Sequence, residues 1–301
     1  MQSKKQTTKD QHIVPKFYLK LFADKEGKLE VLDIKNARFD KRRHCSGLAY
    51  KPFFYAKRTG EFDDISQEFE SGFNKIEDEI AKEIPLIIER ILGLKPIGHK
   101  DRSALSLFLS MLWLRTETMR ASIQRMSEQM KKDIKEIVLP REEKVVAPIQ
   151  NKNNSIDSNT EHLTFLANGL EKFAKMFFVK KWKIYIAKGE RKFITSDTPV
   201  AEWFPPRTIF WGPSFLCRKH YFPLTPEILI ELTCPKGNRK IKRETLFAED
   251  DDKVMVLNML ILGHCFNFGY SNDRQVLEDL LVEKNKFTKW TRMYFEKFPR
   301  E

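Results

Sequence analysis

The sequence predicts an α+β fold, a mostly antiparallel sheet with long helices packed against it. Two observations carry this reading. Isoleucine and phenylalanine recur at three- and four-residue steps over 63–92, and apolar side chains dominate much of 100–137, stretches too long for strands. Elsewhere, shorter runs rich in Val, Ile, Tyr and Phe are bounded by glycine and proline, as at 182–194 and 228–233. The chain of 301 residues, 41% hydrophobic with 24 Phe, is long enough to bury a real core. We read a basic tail over 1–11 and a single α+β domain over 12–301, with a polar linker or loop near 139–160.

A net charge of +12 and a pI near 9.4 favour an acidic partner, nucleic acid or an anionic surface. Cys45, Cys217, Cys234 and Cys265 are scattered, with no C-x-x-C pair, which argues against a zinc site built on cysteine. Residues 1–11 lack the apolar segment of a secretory signal. The apolar run Val254–Phe268 is too short for a bilayer span. These features set the expectation of a cytoplasmic protein with reduced, buried thiols and no membrane partner.

In chain order, Pro15 suits the first turn of a short helix in which Tyr18, Leu19 and Phe22 share a face. His12 stands just ahead of it, as a structural hydrogen-bonding residue or a proton-transfer group. Strands are expected at Lys28–Ile34, Ala37–Asp40 and Pro52–Ala56. The basic cluster Lys41–His44 is expected as a loop, either solvated or contacting phosphate. The helix Asp63–Leu92 carries Glu70 and Glu77 on one side, two turns apart. They are surface charges or a carboxylate pair for metal or acid–base work.

A second helix is expected from Lys100 to Ile137. Its first half, Ala104–Leu114, is apolar nearly all round and must be buried. Arg115 ends that run and therefore needs a carboxylate, a carbonyl cluster or an anionic ligand. Arg120 follows, and a methionine-rich stripe over 119–137 suits a neighbouring helix or a second subunit, which would make a homo-oligomer.

After a helix over Glu161–Val179, Trp182–Ala187 and Lys192–Ser196 read as a hairpin turning at Gly189. Pro199 forces the chain out of the sheet. Asp197 and the hydroxyls of Thr195, Ser196 and Thr198 then sit at the mouth of a strand. They form either an Asx-type turn or a site. A strand follows at Ile228–Thr233. The acids Glu249–Asp252 read as the cap of a helix over Lys253–Asn267, and a last helix starts at Arg274. Asn258 lies in an apolar surround and needs hydrogen-bond partners. Walker A, G-x-G-x-x-G, G-x-S-x-G and H-E-x-x-H motifs are absent.

Four separated stretches together resemble the domain of unknown function 4238 family of uncharacterised bacterial proteins. They are His12-x-x-Pro15 with Phe17, Leu19 and Phe22; Phe69-Glu70 with Ile76-Glu77; Arg115-Thr116 with Arg120; and Phe193–Asp197 with Pro199-Val200, followed by Pro223–Pro226. The chain departs from that pattern at Trp113, where glutamine is common, and at Thr198, where asparagine is common. The resemblance implies that these stretches belong to one domain, and it implies no established activity.

The function expected is a nucleic-acid- or nucleotide-directed phosphodiesterase or nuclease, which would fit a role in defence against phage. His12, Glu77 and Asp197 are its expected catalytic residues, Arg115 and Arg120 its phosphate-binding ones, and Ser196, Thr195 and Asn258 their supports. Asp197 and Glu77 would hold a divalent metal such as Mg2+. The alternative is a non-catalytic nucleic-acid-binding or oligomerising protein in which the same charges pair structurally.

Overall fold

A computed structural model describes residues 9–55, 57–58, 65–66, 68–138, 158–203, 218–233 and 245–283. The α+β class holds: antiparallel strands predominate, with long helices packed against them. The helices are α1 (Lys16–Lys20), α2 (Glu68–Leu92), α3 (His99–Leu114), α4 (Glu117–Val138), α5 (Ser158–Val179), α6 (Asp251–His264) and α7 over 274–283. The linker expected near 139–160, all but its last residues, and Cys217 and Cys234 lie outside the described residues. Among the described residues, no helix is long and apolar enough to cross a membrane.

Helix α3 is the centre of the core, as its all-round apolar sequence requires. Leu105, Phe108, Leu109 and Leu112 are fully buried. On one side α3 meets α2 and, most extensively, α5. On the other, Phe108 lies 5.9 Å from both Tyr18 of α1 and the sheet residue Phe222, and Tyr18 stacks on Phe222 at 5.6 Å. Burial of such aromatic side chains is worth roughly 1.5–3 kcal/mol each.

The strands form two principal sheets where one was expected. The first contains β9 (Ala201–Trp203), β10 (Lys219–Thr225), β11 (Ile228–Thr233), β7 (Lys181–Ala187) and β12 (Thr245–Glu249), adjacent in that order. Only its β7–β12 pair is parallel. The second is wholly antiparallel and orders β3 (Arg38–His44), β2 (Lys28–Asp33), β13 (Phe268–Ser271) and β8 (Thr195–Ser196). A ribbon of β1 (Asp10–His12) and β4 (Tyr50–Pro52) stands apart from both, and β5 (Lys57–Arg58) pairs with β6 (Ile65–Ser66).

The strand expected at Pro52–Ala56 ends at Pro52 and is followed by a turn over 53–55, and the helix expected from Asp63 begins at Glu68. Three larger expectations need correction. The hairpin over Trp182–Ser196 does not form, because β7 lies between β11 and β12 while β8 pairs with β13 in the other sheet. The crossing segment finds its partners elsewhere: the Phe193 N–H donates to the Pro226 carbonyl at 2.7 Å, and the Ile194 N–H to Asn258 Oδ1 at 3.0 Å. Gly189 is needed at its start, since a Cβ there would fall 2.1 Å from the Asp251 carboxylate.

The basic cluster Lys41–His44 is not a loop but the end of β3, the edge strand of the second sheet, with all four side chains exposed. The long helix expected over Lys100–Ile137 is broken at Arg115–Thr116. Thr116 explains the break: its hydroxyl accepts from the Met119 N–H at 3.2 Å, starting a new helix as a cap residue does. The acidic run over Glu249–Asp252 behaves as read, Asp250 capping α6 by accepting from the Lys253 N–H at 3.0 Å.

Candidate active site

A cavity of about 290 Å³ opens between the second sheet and the β1–β4 ribbon. Val31, Phe268 and Tyr270 line it from the sheet, Tyr50 and Lys51 from the ribbon. Arg43 and Asp40 enter from the edge strand β3, Asp197 from just beyond β8, and Glu117 from the first residue of α4. Its charged lining is three acids, Asp40, Glu117 and Asp197, against two bases, Arg43 and Lys51. Lys51 donates to Glu117, and Arg43 lies 3.4 Å from Asp40.

Asp197 is held in place by backbone. Its Oδ1 accepts from the Phe266 N–H at 2.8 Å, and its Oδ2 accepts from those of Asn267 at 2.7 Å and Phe268 at 3.1 Å. The carboxylate thus fastens the connection between α6 and β13 to the end of β8. Burial lifts its pKa to about 6, with the Glu117 charge adding to the rise, while the three N–H donors pull the other way. Asp197 is therefore mostly ionised at neutral pH and close to titrating. Burial also keeps the neighbouring Tyr270 phenol protonated.

The hydroxyls around Asp197 serve the fold. Ser196 Oγ accepts from the Thr198 N–H at 3.1 Å. Thr198 and Thr118 share a hydroxyl hydrogen bond of 3.0 Å, tying this segment to α4. Tyr18 donates to the Pro223 carbonyl at 2.6 Å, which leaves the Thr195 hydroxyl to donate to Tyr18 at 2.9 Å. Asn258 bridges α6 to the crossing segment, accepting from Ile194 and donating to the Lys192 carbonyl at 2.9 Å.

Arg115 builds a separate polar centre. Its side chain is 1% exposed, and each guanidinium nitrogen donates: to Glu77, to the His12 carbonyl, and to the Tyr55 hydroxyl at 3.0 Å. Tyr55 in turn donates to the Arg115 carbonyl at 3.1 Å, and the guanidinium lies 4.9 Å from the Phe73 ring. Glu70 joins this group. Burial raises its pKa, Arg115 opposes the rise and Glu77 adds to it. The His12 ring sits 5.9 Å from that of Tyr50, and burial, then Lys16, holds it below its ordinary pKa and so neutral at pH 7.

The expected site residues thus fall into two groups. His12, Glu77 and Arg115 converge, while Asp197 belongs to the cavity; among the described residues no contact joins it to Arg115 or Glu77. Of the carboxylates the sequence offered, Arg115 takes Glu77 as its partner and not Asp197. Arg120 supports the core: it donates to the Phe54 carbonyl and, at 3.2 Å, to His162 Nδ1, whose Nε2 donates to the Leu114 carbonyl. No group of three or more His, Cys, Asp or Glu side chains able to hold a metal gathers among the described residues. Sequence reasoning missed Glu117, Lys51 and Tyr50, which carry no local signature. Arg43 was visible as part of the basic cluster.

The family model for a protein of unknown function, DUF4238, matches residues 10–275. The chain belongs to the DUF4238 family. The DUF4238 match runs from the first residue of β1 into α7, so both the cavity and the Arg115 centre lie inside it. No curated protein and no solved structure matches the chain.

Proposed function

We propose that the cavity at the end of the basic edge strand binds a nucleotide or a nucleic-acid segment and hydrolyses it. One observation carries the reading: Arg43 belongs at once to the exposed run Lys41–His44 and to the lining of the cavity that holds Asp197. Phosphates would compete with Asp24, Glu30 and Asp40 for Arg42 and Arg43 and meet Lys41 beside them, and Arg43 would lead the chain inward. Asp197, with a pKa near 6, suits proton exchange at neutral pH. Phosphodiester cleavage, the reaction the sequence suggests, would use it to take a proton from water, with a divalent metal recruited alongside the substrate. Destruction of nucleic acid or nucleotides is also the kind of activity that a defence against phage requires.

A non-catalytic binding protein is the second reading. It is favoured by the backbone donors that already engage both oxygens of Asp197.

The test is fluorescence anisotropy of labelled single- and double-stranded oligonucleotides over a range of salt, with cleavage followed on gels with and without Mg2+. Binding that weakens with salt and in Arg43→Ala supports the reading. Absence of binding at low salt overturns it.

A further inference from the structure

The charge balance of the cavity suits one part of a nucleotide and not another. With Asp40, Glu117 and Asp197 facing Arg43 and Lys51, its lining carries an excess of negative charge. Without a divalent cation to offset them, a phosphate placed deep inside would meet carboxylates on several sides. Placed at the rim, on Arg43 and Lys41 of the exposed edge strand, it meets two cations against the single carboxylate of Asp40. The cavity is then left for the sugar and the base.

The two inner acids are held in different ways. Asp197 has both oxygens fixed by backbone N–H groups and cannot swing. Glu117 is bound by a single flexible partner, Lys51, whose side chain is 47% exposed, so it is able to turn. Tyr50, 40% exposed, offers a ring at the same wall for a planar base to stack on. A fixed anion and a movable carboxylate flanking a sugar are the groups used where positive charge develops on that sugar.

We propose that this cavity hydrolyses the bond between ribose and base in a nucleotide, with Asp197 and Glu117 as its two carboxylates. This rests on the nucleotide reading above. The base lies on Tyr50 and the phosphate at Arg43. As the C1′–N bond breaks, its electron pair leaves with the base, and the Asp197 anion faces the positive charge that develops on the sugar. Glu117 takes a proton from the attacking water as the oxygen bonds to C1′. That proton passes to the departing base or, where the base was cationic, to solvent. The products are the free base and the ribose phosphate from a mononucleotide, or nicotinamide, ADP-ribose and a proton from NAD+. A net-negative cavity favours a nucleotide whose base carries positive charge, as in NAD+.

The experiment incubates the full chain with NAD+, AMP and UMP separately and measures released base by chromatography. Wild type is expected to release base from at least one of them, NAD+ fastest. Glu117→Gln is expected to lose on the order of 100-fold or more in kcat with its melting temperature unchanged. Asp197→Asn serves as a second variant, read only if it melts as a folded protein. Absence of base release from all three probes overturns the proposal, and so does full activity in Glu117→Gln. If oligonucleotide or nucleotide binding through Arg43 persists while no base is released, this inference falls and the nucleotide reading stands. Loss of both brings down the two together.

Discussion

Arg115 and Glu77 form an ion pair between the α3–α4 junction and α2, with the arginine side chain 1% and the glutamate 17% exposed. The pair is asymmetric. The guanidinium is sealed under Tyr55 and Phe73, whereas the carboxylate keeps some access to water. Removing the carboxylate strands a buried cation, which is the costly direction.

Glu77→Ala is therefore expected to destabilise the fold by about 3–5 kcal/mol. Urea denaturation checks it. A loss below about 1 kcal/mol would mean that the Tyr55 hydroxyl and the His12 carbonyl suffice for Arg115.

Tyr18→Phe removes the phenol that links Thr195 to Pro223. Both partners are then left buried with a hydrogen bond unmade, at an expected cost of about 1–3 kcal/mol. The double variant Tyr18→Phe with Thr195→Val should cost less than the sum of the two single changes, a coupling that denaturation curves of all four proteins measure.

Asp197 titrates in the wrong direction for an ordinary surface acid. Its folded pKa, near 6, lies above the usual 3.8, so the folded state holds the proton more tightly than the unfolded chain does. Its contribution to stability is present below about pH 4 and is lost as pH rises through about 6. Melting temperatures of wild type and Asp197→Asn between pH 4 and 7 isolate this. Wild type should fall relative to the variant across that interval, and parallel curves would refute the assignment.

Nucleic-acid affinity, if carried by β3, should follow counterion release. Lys41→Ala and Arg43→Ala are each expected to lower the slope of log affinity against log salt by about one. Changes that leave the slope intact would move the binding face away from the edge strand.

The α+β class and the central place of α3 were legible because periodicity and all-round apolarity are local properties. Ala104–Leu114 admits no solvated face, and its burial followed. The need of Arg115 for a partner was legible for the same reason, but the identity of that partner was not. Glu77 and Asp197 are both carboxylates near apolar runs, and only the packing of α2 beside α3 chooses between them. Likewise, Trp182–Ala187 and Lys192–Ser196 read as hairpin strands, and nothing local shows that Asn258 and Pro226 will claim the second one. Glu117 was hidden most completely, because the break at Thr116 that turns it into the cavity reads as continuous helix.

That break sets a tolerance on the joint itself. Arg115 and Glu117 are two residues apart, yet one is pinned in the core and the other faces the cavity. Inserting one glycine between Thr116 and Glu117 would leave Arg115 where it is and turn the register of α4 by about 100°. Such a protein should keep its Arg115–Glu77 pair while withdrawing Glu117 from the cavity, at a cost in stability from the α4 contacts of Thr118 and Arg120 that the same turn breaks. The spacing between these two charged residues thus acts as a gauge, and along this stretch length matters as much as residue type.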